Sequence, residues 1–146
     1  MYSRVNKIIS TSTANDADGG KTITLDQGRQ FSIISIYLKI TPSDSAGNRV
    51  PAIQFRDTDN AVFWEWISDT VLAASTAATF ALSPYAPANT GYTDSDALLY
   101  QSIPAVIMQG GWNLHYYDRA NIDSASDASE IWMLSLIESD LRSVNA

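Results

Sequence analysis

RQFSIISIYLKIT, residues 29–41, is the longest run of strand-forming residues in this chain. Its apolar side chains recur at every second position, and successive side chains of a β-strand point to opposite faces of a sheet. One predicted face carries Ile34, Ile36, Leu38 and Ile40, and the other carries Phe31, Ile33, Ser35, Tyr37 and Lys39. The stretch therefore predicts a strand that is apolar on both faces.

Shorter runs with the same period lie on both sides of this strand, separated by clusters of Gly, Pro, Asn, Asp and Ser. They predict strands over 21–27, 49–57, 62–67, 76–84, 104–109, 112–119 and 130–139. Helical potential is confined to the short stretches 68–76 and 140–146, and an amphipathic helix over 62–74 is the alternative to a strand there. Eight or nine strands with little helix predict an all-β fold, an antiparallel β-sandwich or jelly roll.

The stretch DNAVFWEWISD (59–69) concentrates three large aromatic residues within four positions. Core packing, a sugar-binding platform and a subunit interface all use such residues, and tryptophan and tyrosine are favoured interface anchors. Apolar residues on both faces also recur in 29–41 and 130–139, which indicates a partner surface outside the sandwich. The interface candidates are Trp64, Trp66, Phe63, Tyr37, Trp112 and Trp132.

Size and charge predict one domain with an N-terminal extension. A chain of 146 residues is most simply a single domain. Residues 1–20 are predicted to form an arm with a flexible Ser, Thr, Asn, Asp and Gly loop, and residues 21–146 a single β-sandwich. The arm carries Arg4 and Lys7 ahead of an acidic body, so Tyr2, Arg4 and Lys7 are candidate docking residues.

Composition argues against several classes of function. Sixteen acidic against nine basic residues give a net charge of −7, which disfavours sequence-independent binding to nucleic acid. No run of about 20 apolar residues predicts a membrane span, and the first residues do not predict a signal peptide. The chain has no cysteine and one histidine, His115, which we interpret as structural or solvent-facing.

No catalytic motif or cofactor site is predicted. The chain contains no G-x-S-x-G motif, and Gly19-Gly20 and Gly110-Gly111 are predicted turns. Acidic loops at Asp57/Asp59/Asn60, Asp94/Asp96 and Asp118/Asp123/Asp127 leave a calcium site open as a minor alternative. The first of these loops has Val62 and Ser68 where an EF-hand requires Gly and Glu. We therefore expect a protein that is not an enzyme and needs no metal or cofactor.

Three passages of the chain carry a family resemblance. They are GNRVPAIQFRD (47–57), SIPAVIMQGGWNL (102–114) and a loop with Asp123, Asp127 and Glu130 that leads into the closing apolar strand. Together they resemble a family of small virion proteins of tailed bacteriophages. The resemblance covers roughly residues 21–140, and Ile103 stands where the family more often has leucine. It implies a non-enzymatic β-sandwich, often trimeric, that decorates or cements a capsid shell, and it supplies no catalytic residues.

Sequence and resemblance together predict a capsid decoration or cement protein that stabilises the outer head of a phage. Its expected partners are further copies of itself, as a homotrimer, and the major capsid protein, with neither nucleic acid nor membrane. It would be located in the virion, after assembly in the host cytoplasm. The alternatives are a structural component of the tail or neck, and a carbohydrate-binding β-sandwich module.

Overall fold

The computed structural model describes residues 4–11, 20–85, 98–122 and 126–138, with the backbone alone described at 4–11, 98 and 138. Ten strands and no helix occur in these ranges. The strands are β1 (Arg4–Thr11), β2 (Lys21–Thr24), β3 (Gln30–Thr41), β4 (Pro51–Arg56), β5 (Val62–Ile67), β6 (Ala78–Ser83), β7 (Leu98–Ser102), β8 (Ile107–Gln109), β9 (Asn113–Asp118) and β10 (Ala128–Glu138). The predicted all-β fold is confirmed.

The strands form two sheets with the connectivity of a jelly roll. One sheet has the order β1-β10-β3-β6-β7, with β8 also paired to β3, and the other has the order β2-β9-β4-β5. The antiparallel pairs β1–β10, β2–β9, β3–β6 and β4–β5 are nested in sequence and alternate between the sheets. A long folded hairpin rolled into two Greek keys has this arrangement, which is the jelly roll.

The secondary structure departs from the sequence-based assignments at β7 and at 68–76. Strand β7 was not predicted, and it pairs with β6 in parallel, whereas the other strand pairs are antiparallel. The stretch 68–76, predicted to have helical potential, contains no helix and instead forms turns held by a bridge between Arg49 and Leu72. Hydrogen bonds between Arg49 and Leu72 run in both directions, at 2.8 and 3.0 Å, and replace those that a helix would make internally. The other helical candidate, 140–146, lies outside the described residues.

The core lies between the two sheets. The six-stranded sheet contributes Phe31, Ile36, Leu38, Phe80 and other apolar side chains, and the four-stranded sheet contributes Ile53, Phe55, Trp66 and Leu114. These side chains are at most 5% exposed. Removal of this apolar surface from water is the dominant favourable contribution to folding.

A β-bulge divides β3 into two halves with opposite alternation. Ser35 pairs with Leu134 and Ile33 pairs with Ser135, so Ile34 is an extra residue on this strand. Phe31 and Ile33 before the bulge and Ile36, Leu38 and Ile40 after it are all buried in the same core. The predicted assignment of these residues to two opposite faces is therefore wrong, because an extra residue in a strand reverses the alternation of faces.

Part of the predicted N-terminal arm belongs to the body. Residues 4–11 pair with β10 along their whole length, from Arg4 opposite Glu138 to Thr11 opposite Ile131. β1 is therefore an edge strand of the six-stranded sheet.

Candidate assembly surface

The structure separates the six predicted interface aromatics into three groups. Trp66 belongs to the core, where it is 5% exposed and packs edge-on against Phe80 with ring centres 5.4 Å apart. Its indole Nε1 donates a hydrogen bond of 2.9 Å to Oε1 of Gln101. A buried indole with its polar atom satisfied is a packing residue, and Trp66 presents no surface to a partner.

The second group is an aromatic edge cluster of Phe63, Trp64 and Trp112, around the beginning of β5. Trp64 packs edge-on against Phe55 at 5.0 Å, and Phe63 lies 5.1 Å from Trp112. A bulge at Phe63, between the pairs Phe55–Trp64 and Arg56–Val62, turns its ring outward, where it is 45% exposed. The edge cluster therefore joins the core to an exposed apolar rim.

The third group, Tyr37 and Trp132, lies on the outer face of the six-stranded sheet. The two residues are opposite each other on β3 and β10, and each side chain is 48% exposed. Their neighbours on β3, β10 and β6 are Lys39, Glu130 and Thr79. These five residues line a shallow groove of about 370 Å³, called the sheet-face groove below.

The strand alternation explains why these aromatics are exposed. Ile36, Leu38 and Ile40 point into the core after the β3 bulge, so Tyr37 and Lys39 must point outward. The same holds on β10, where Ile131 and Met133 are buried and Trp132 is exposed. A tyrosine and a tryptophan half exposed to water, side by side, form an apolar surface of the kind that binds partners.

The outer face of the four-stranded sheet has a different, polar character. Glu65 accepts hydrogen bonds from the Tyr117 hydroxyl at 2.9 Å and from Nε2 of Gln54 at 3.1 Å, and Nε of Arg119 lies 3.6 Å away. Partial burial and the hydrogen bond to Glu65 raise the pKa of Tyr117 above its ordinary value. Glu65, which interrupts the aromatic stretch in the sequence, is thus the centre of a polar network.

His115 is part of the same face. It is 3% exposed, its Nδ1 lies 2.9 Å from the Thr22 hydroxyl, and its ring stacks on Tyr117 with centres 5.8 Å apart. The geometry is that of a packed structural histidine.

A buried ion pair at one end of the sandwich was not predicted from the sequence. Arg49 is completely buried, and its Nε and Nη2 donate to Oδ2 and Oδ1 of Asp127 at 3.0 and 3.1 Å. Its Nη1 donates to the carbonyls of Ser45 and Gly47, both at 2.8 Å. The pair therefore ties the β3–β4 loop to the start of β10.

The signal for this pair was present in two of the passages that carry the family resemblance. Arg49 lies in GNRVPAIQFRD, and Asp127 lies in the acidic loop before the closing strand. Gly47, whose carbonyl accepts a hydrogen bond from Arg49, has a backbone φ of +131°. A Cβ there would lie 2.9 Å from the Ile122 side chain, so glycine is required at this position.

In the described part of the acidic loops that left calcium open as an alternative, the aspartates accept hydrogen bonds from the protein itself. Asp57 accepts hydrogen bonds from the backbone N–H groups of Asp59 and Ala61, both at 2.9 Å. Asp118 accepts from three backbone N–H groups, the shortest at 2.7 Å from Val50. No group of three or more metal-ligating side chains occurs among the described residues. Asp94, Asp96 and Asp123 lie outside them.

The docking candidates are placed only in part. Tyr2 lies outside the described residues, whereas Arg4 and Lys7 lie in β1. In the described part of the chain, no helix is long and apolar enough to cross a membrane.

No protein-family model and no curated protein matches the chain. Among solved structures, it is similar to a chain of the infectious bursal disease virus Gx strain, at 13% identity and a TM-score of 0.32 over 93% of this chain and 31% of that one. It is also similar to a mutant VP2 protein from T=1 particles of the same virus, with 11% identity and a TM-score of 0.30. This match covers 91% of this chain and 38% of that one. A third similar structure is a chain of the T13 particle of this virus, with 11% identity and a TM-score of 0.28. The match covers 92% of this chain and 38% of that one. The chain spans less than two fifths of the length of each, and the likenesses are distant.

Proposed function

We propose that this chain is a non-enzymatic structural protein of a virion, and more specifically a decoration or cement protein on the outer head of a tailed bacteriophage. The observation that carries the proposal is a jelly roll with exposed aromatic groups at two separate places. Jelly rolls are common among capsid proteins, and exposed aromatic groups on a small β-sandwich are typical of surfaces that bind other proteins.

The family resemblance supports the same proposal at the level of single residues. Two of its three passages contain Arg49 and Asp127, which form the buried ion pair at the end of the sandwich. The two passages therefore contribute residues that meet in one structural feature of this fold.

The proposed partners are other copies of the chain, as a homotrimer, and the major capsid protein of the same particle. The aromatic edge cluster is the proposed trimer contact, because its member Phe63 and the adjacent Val62 are each about half exposed. Tyr2, Arg4 and Lys7 remain the proposed docking residues, and Arg4 and Lys7 lie on an edge strand. Assembly would take place in the host cytoplasm, and neither nucleic acid nor membrane is needed.

The test is the heat stability of particles with and without the protein. A protein that binds the assembled shell but not its separated subunits stabilises the shell by mass action. We expect particles that lack the protein to release their genome at a lower temperature, and added protein to restore the release temperature. Apolar contacts predict only a modest effect of salt, since salt screens exposed charges but not buried apolar surface. Equal release temperatures would contradict the cementing role and favour a tail or neck position.

A second candidate function is carbohydrate binding, and the sheet-face groove is the observation that favours it. Tyr37 and Trp132 provide exposed rings for stacking, and Lys39, Glu130 and Thr79 provide polar groups beside them. A carbohydrate-binding module would also be expected to expose aromatics such as Tyr85, Tyr92 or Tyr100 around the long loop. Tyr85 is 80% exposed, Tyr100 is half-buried, and Tyr92 lies outside the described residues. Retention on polysaccharide columns that Trp132→Ala abolishes would support this function, and passage without delay would exclude it for the polysaccharides used.

A further inference from the structure

We propose that the sheet-face groove binds the same groove of a second copy, across a twofold axis that runs parallel to the strands. This inference rests on the self-association in the proposed function and specifies a contact for it. The contact would join neighbouring trimers, whereas the aromatic edge cluster would join the chains within one trimer.

The register of the two strands sets the geometry. Tyr37 is opposite Trp132 and Lys39 is opposite Glu130, so each pair lies at one level along the strands. A twofold axis between β3 and β10, parallel to them and above the face, places β3 of one copy over β10 of the other at the same level. Tyr37 then faces Trp132 of the other copy, and Lys39 faces Glu130 of the other copy.

The twofold operation places opposite charges against each other. Stacking β3 of one copy directly on β3 of the other at the same level would not, because Lys39 would then face Lys39. Each contact would contain two Lys39–Glu130 pairs between copies, next to a group of two tyrosines and two tryptophans at the adjacent level along the strands. In the described part of the chain, no ion pair joins Lys39 to Glu130 within one copy. Aromatic anchors at the centre and opposite charges at the rim are the usual arrangement of specific interfaces, in which the charges set orientation.

The size of the groove predicts a weak contact in solution. Stable interfaces bury roughly 800 Å² per partner, and five side chains provide less than this. On a shell, however, neighbouring copies are held at fixed positions, and their effective concentration is far above that in solution. Closed shells contain local twofold axes between their threefold positions, so such contacts would link trimers into a net.

Two charge reversals test the proposal in solution. Lys39→Glu and Glu130→Lys each place like charges opposite each other in a contact between identical copies. We expect wild-type protein to form larger species with rising concentration in sedimentation velocity, and each variant alone to lose at least roughly a tenfold factor in this association. An equal mixture of the two variants should recover it, because opposite charges then face each other between unlike copies.

Recovery in the mixture separates a contact between copies from an effect within one chain. Arg29→Glu and Asp44→Lys change the net charge by the same amounts at other exposed positions and should leave the association unchanged. Circular dichroism and thermal unfolding check that each variant is folded. Wild-type protein that does not associate at any concentration, or a mixture that behaves like its components, would overturn the proposal. The particle-heating experiment is independent, so a failed cementing role would leave this result standing.

Discussion

At the scale of single residues, the structure depends on polar groups that burial makes costly to lose. Arg49 is completely buried, and Asp127 is 7% exposed. A buried guanidinium is tolerated only when its charge is balanced and its N–H groups are bonded, since its desolvation costs several kcal/mol. Here a bidentate carboxylate and backbone carbonyls meet both requirements.

Asp127→Ala should destabilise the fold by about 3–5 kcal/mol, because it leaves the charge of Arg49 buried without its partner. Asp44→Ala removes an exposed carboxylate in the β3–β4 loop, so it is the matched control and should change stability by less than about 0.5 kcal/mol. Urea unfolding of the three proteins measures both values. Equal midpoints for Asp127→Ala and wild type would show that the ion pair does not stabilise the fold.

Tyr116 should make the protein sensitive to alkaline pH. Burial raises the pKa of its phenol well above the ordinary value of about 10, and Asp118 and Asp127 raise it further. The unfolded chain therefore loses this proton first as the pH rises. The contribution of the protonated Tyr116 phenol to the free energy of unfolding is complete below about pH 10. It is lost as the pH rises from there towards the pKa of the folded state, by up to about 1.4 kcal/mol per pH unit.

Urea unfolding at a series of pH values between about 8 and 11 tests this expectation. Tyr116→Phe should be less sensitive to pH above 10 than the wild type, because it removes the titrating group. Tyr117→Phe is the comparison, and its effect should be smaller, since Tyr117 is only partly buried. A Tyr116→Phe variant with the same pH dependence as the wild type would assign the sensitivity to another group.

At the scale of elements, β3 is the strand on which both surfaces of its sheet depend. Its bulge at Ile34 directs Phe31 and Ile33 into the core together with Ile36, Leu38 and Ile40. The same bulge sets the outward direction of Tyr37 and Lys39. One extra residue thus produces both a continuous core and the sheet-face groove.

Deletion of Ile34 should prevent folding. Without the extra residue, either Phe31 and Ile33 or the three residues after the bulge must turn towards water. Loss of one large buried side chain already costs about 3–5 kcal/mol, so loss of two or three exceeds the stability of a typical domain. The control Ile34→Val should cost only about 1 kcal/mol. Soluble deletion protein with cooperative unfolding would show that the register can adapt.

At the scale of the whole molecule, the jelly roll has a polar network on the four-stranded sheet, and it exposes aromatics both on the outer face of the six-stranded sheet and around the start of β5. The network around Glu65 bonds the polar groups of the four-stranded sheet to one another. The aromatic edge cluster and the sheet-face groove both leave large rings half exposed. Both surfaces leave apolar rings accessible to water, and we propose them as the contacts with other proteins.

The purified protein should be a homotrimer at micromolar concentration, held by the aromatic edge cluster. Phe63→Ala should weaken the trimer, because aromatic anchors at the centre of an interface contribute most of its free energy. Trp66→Ala should instead lower the stability of the fold, by about 3–5 kcal/mol, because Trp66 lies in the core. Light scattering and urea unfolding measure the two effects. A wild-type monomer at this concentration would contradict the trimer.

The sequence by itself determined the local structure of this protein, because the period of two and the turn residues act between near neighbours. It predicted a two-sheet fold and, among the described residues, eight of the ten strands in position. Among its candidate interface residues, Tyr37, Trp132 and Phe63 are exposed, and their role in an interface stays a prediction. Trp66 is also aromatic but is buried in the core, since exposure depends on which neighbours cover a side chain.

Only the tertiary structure decided the features that depend on distant residues. The Arg49–Asp127 pair joins positions 78 residues apart, and no local pattern predicts which acid meets which base. β7 is a strand because β6 provides the parallel neighbour with which it pairs. The bulge at Ile34 forms because both halves of β3 must bury apolar residues against one opposing sheet. In each case the decisive free energy comes from contacts between segments that the chain brings together only on folding.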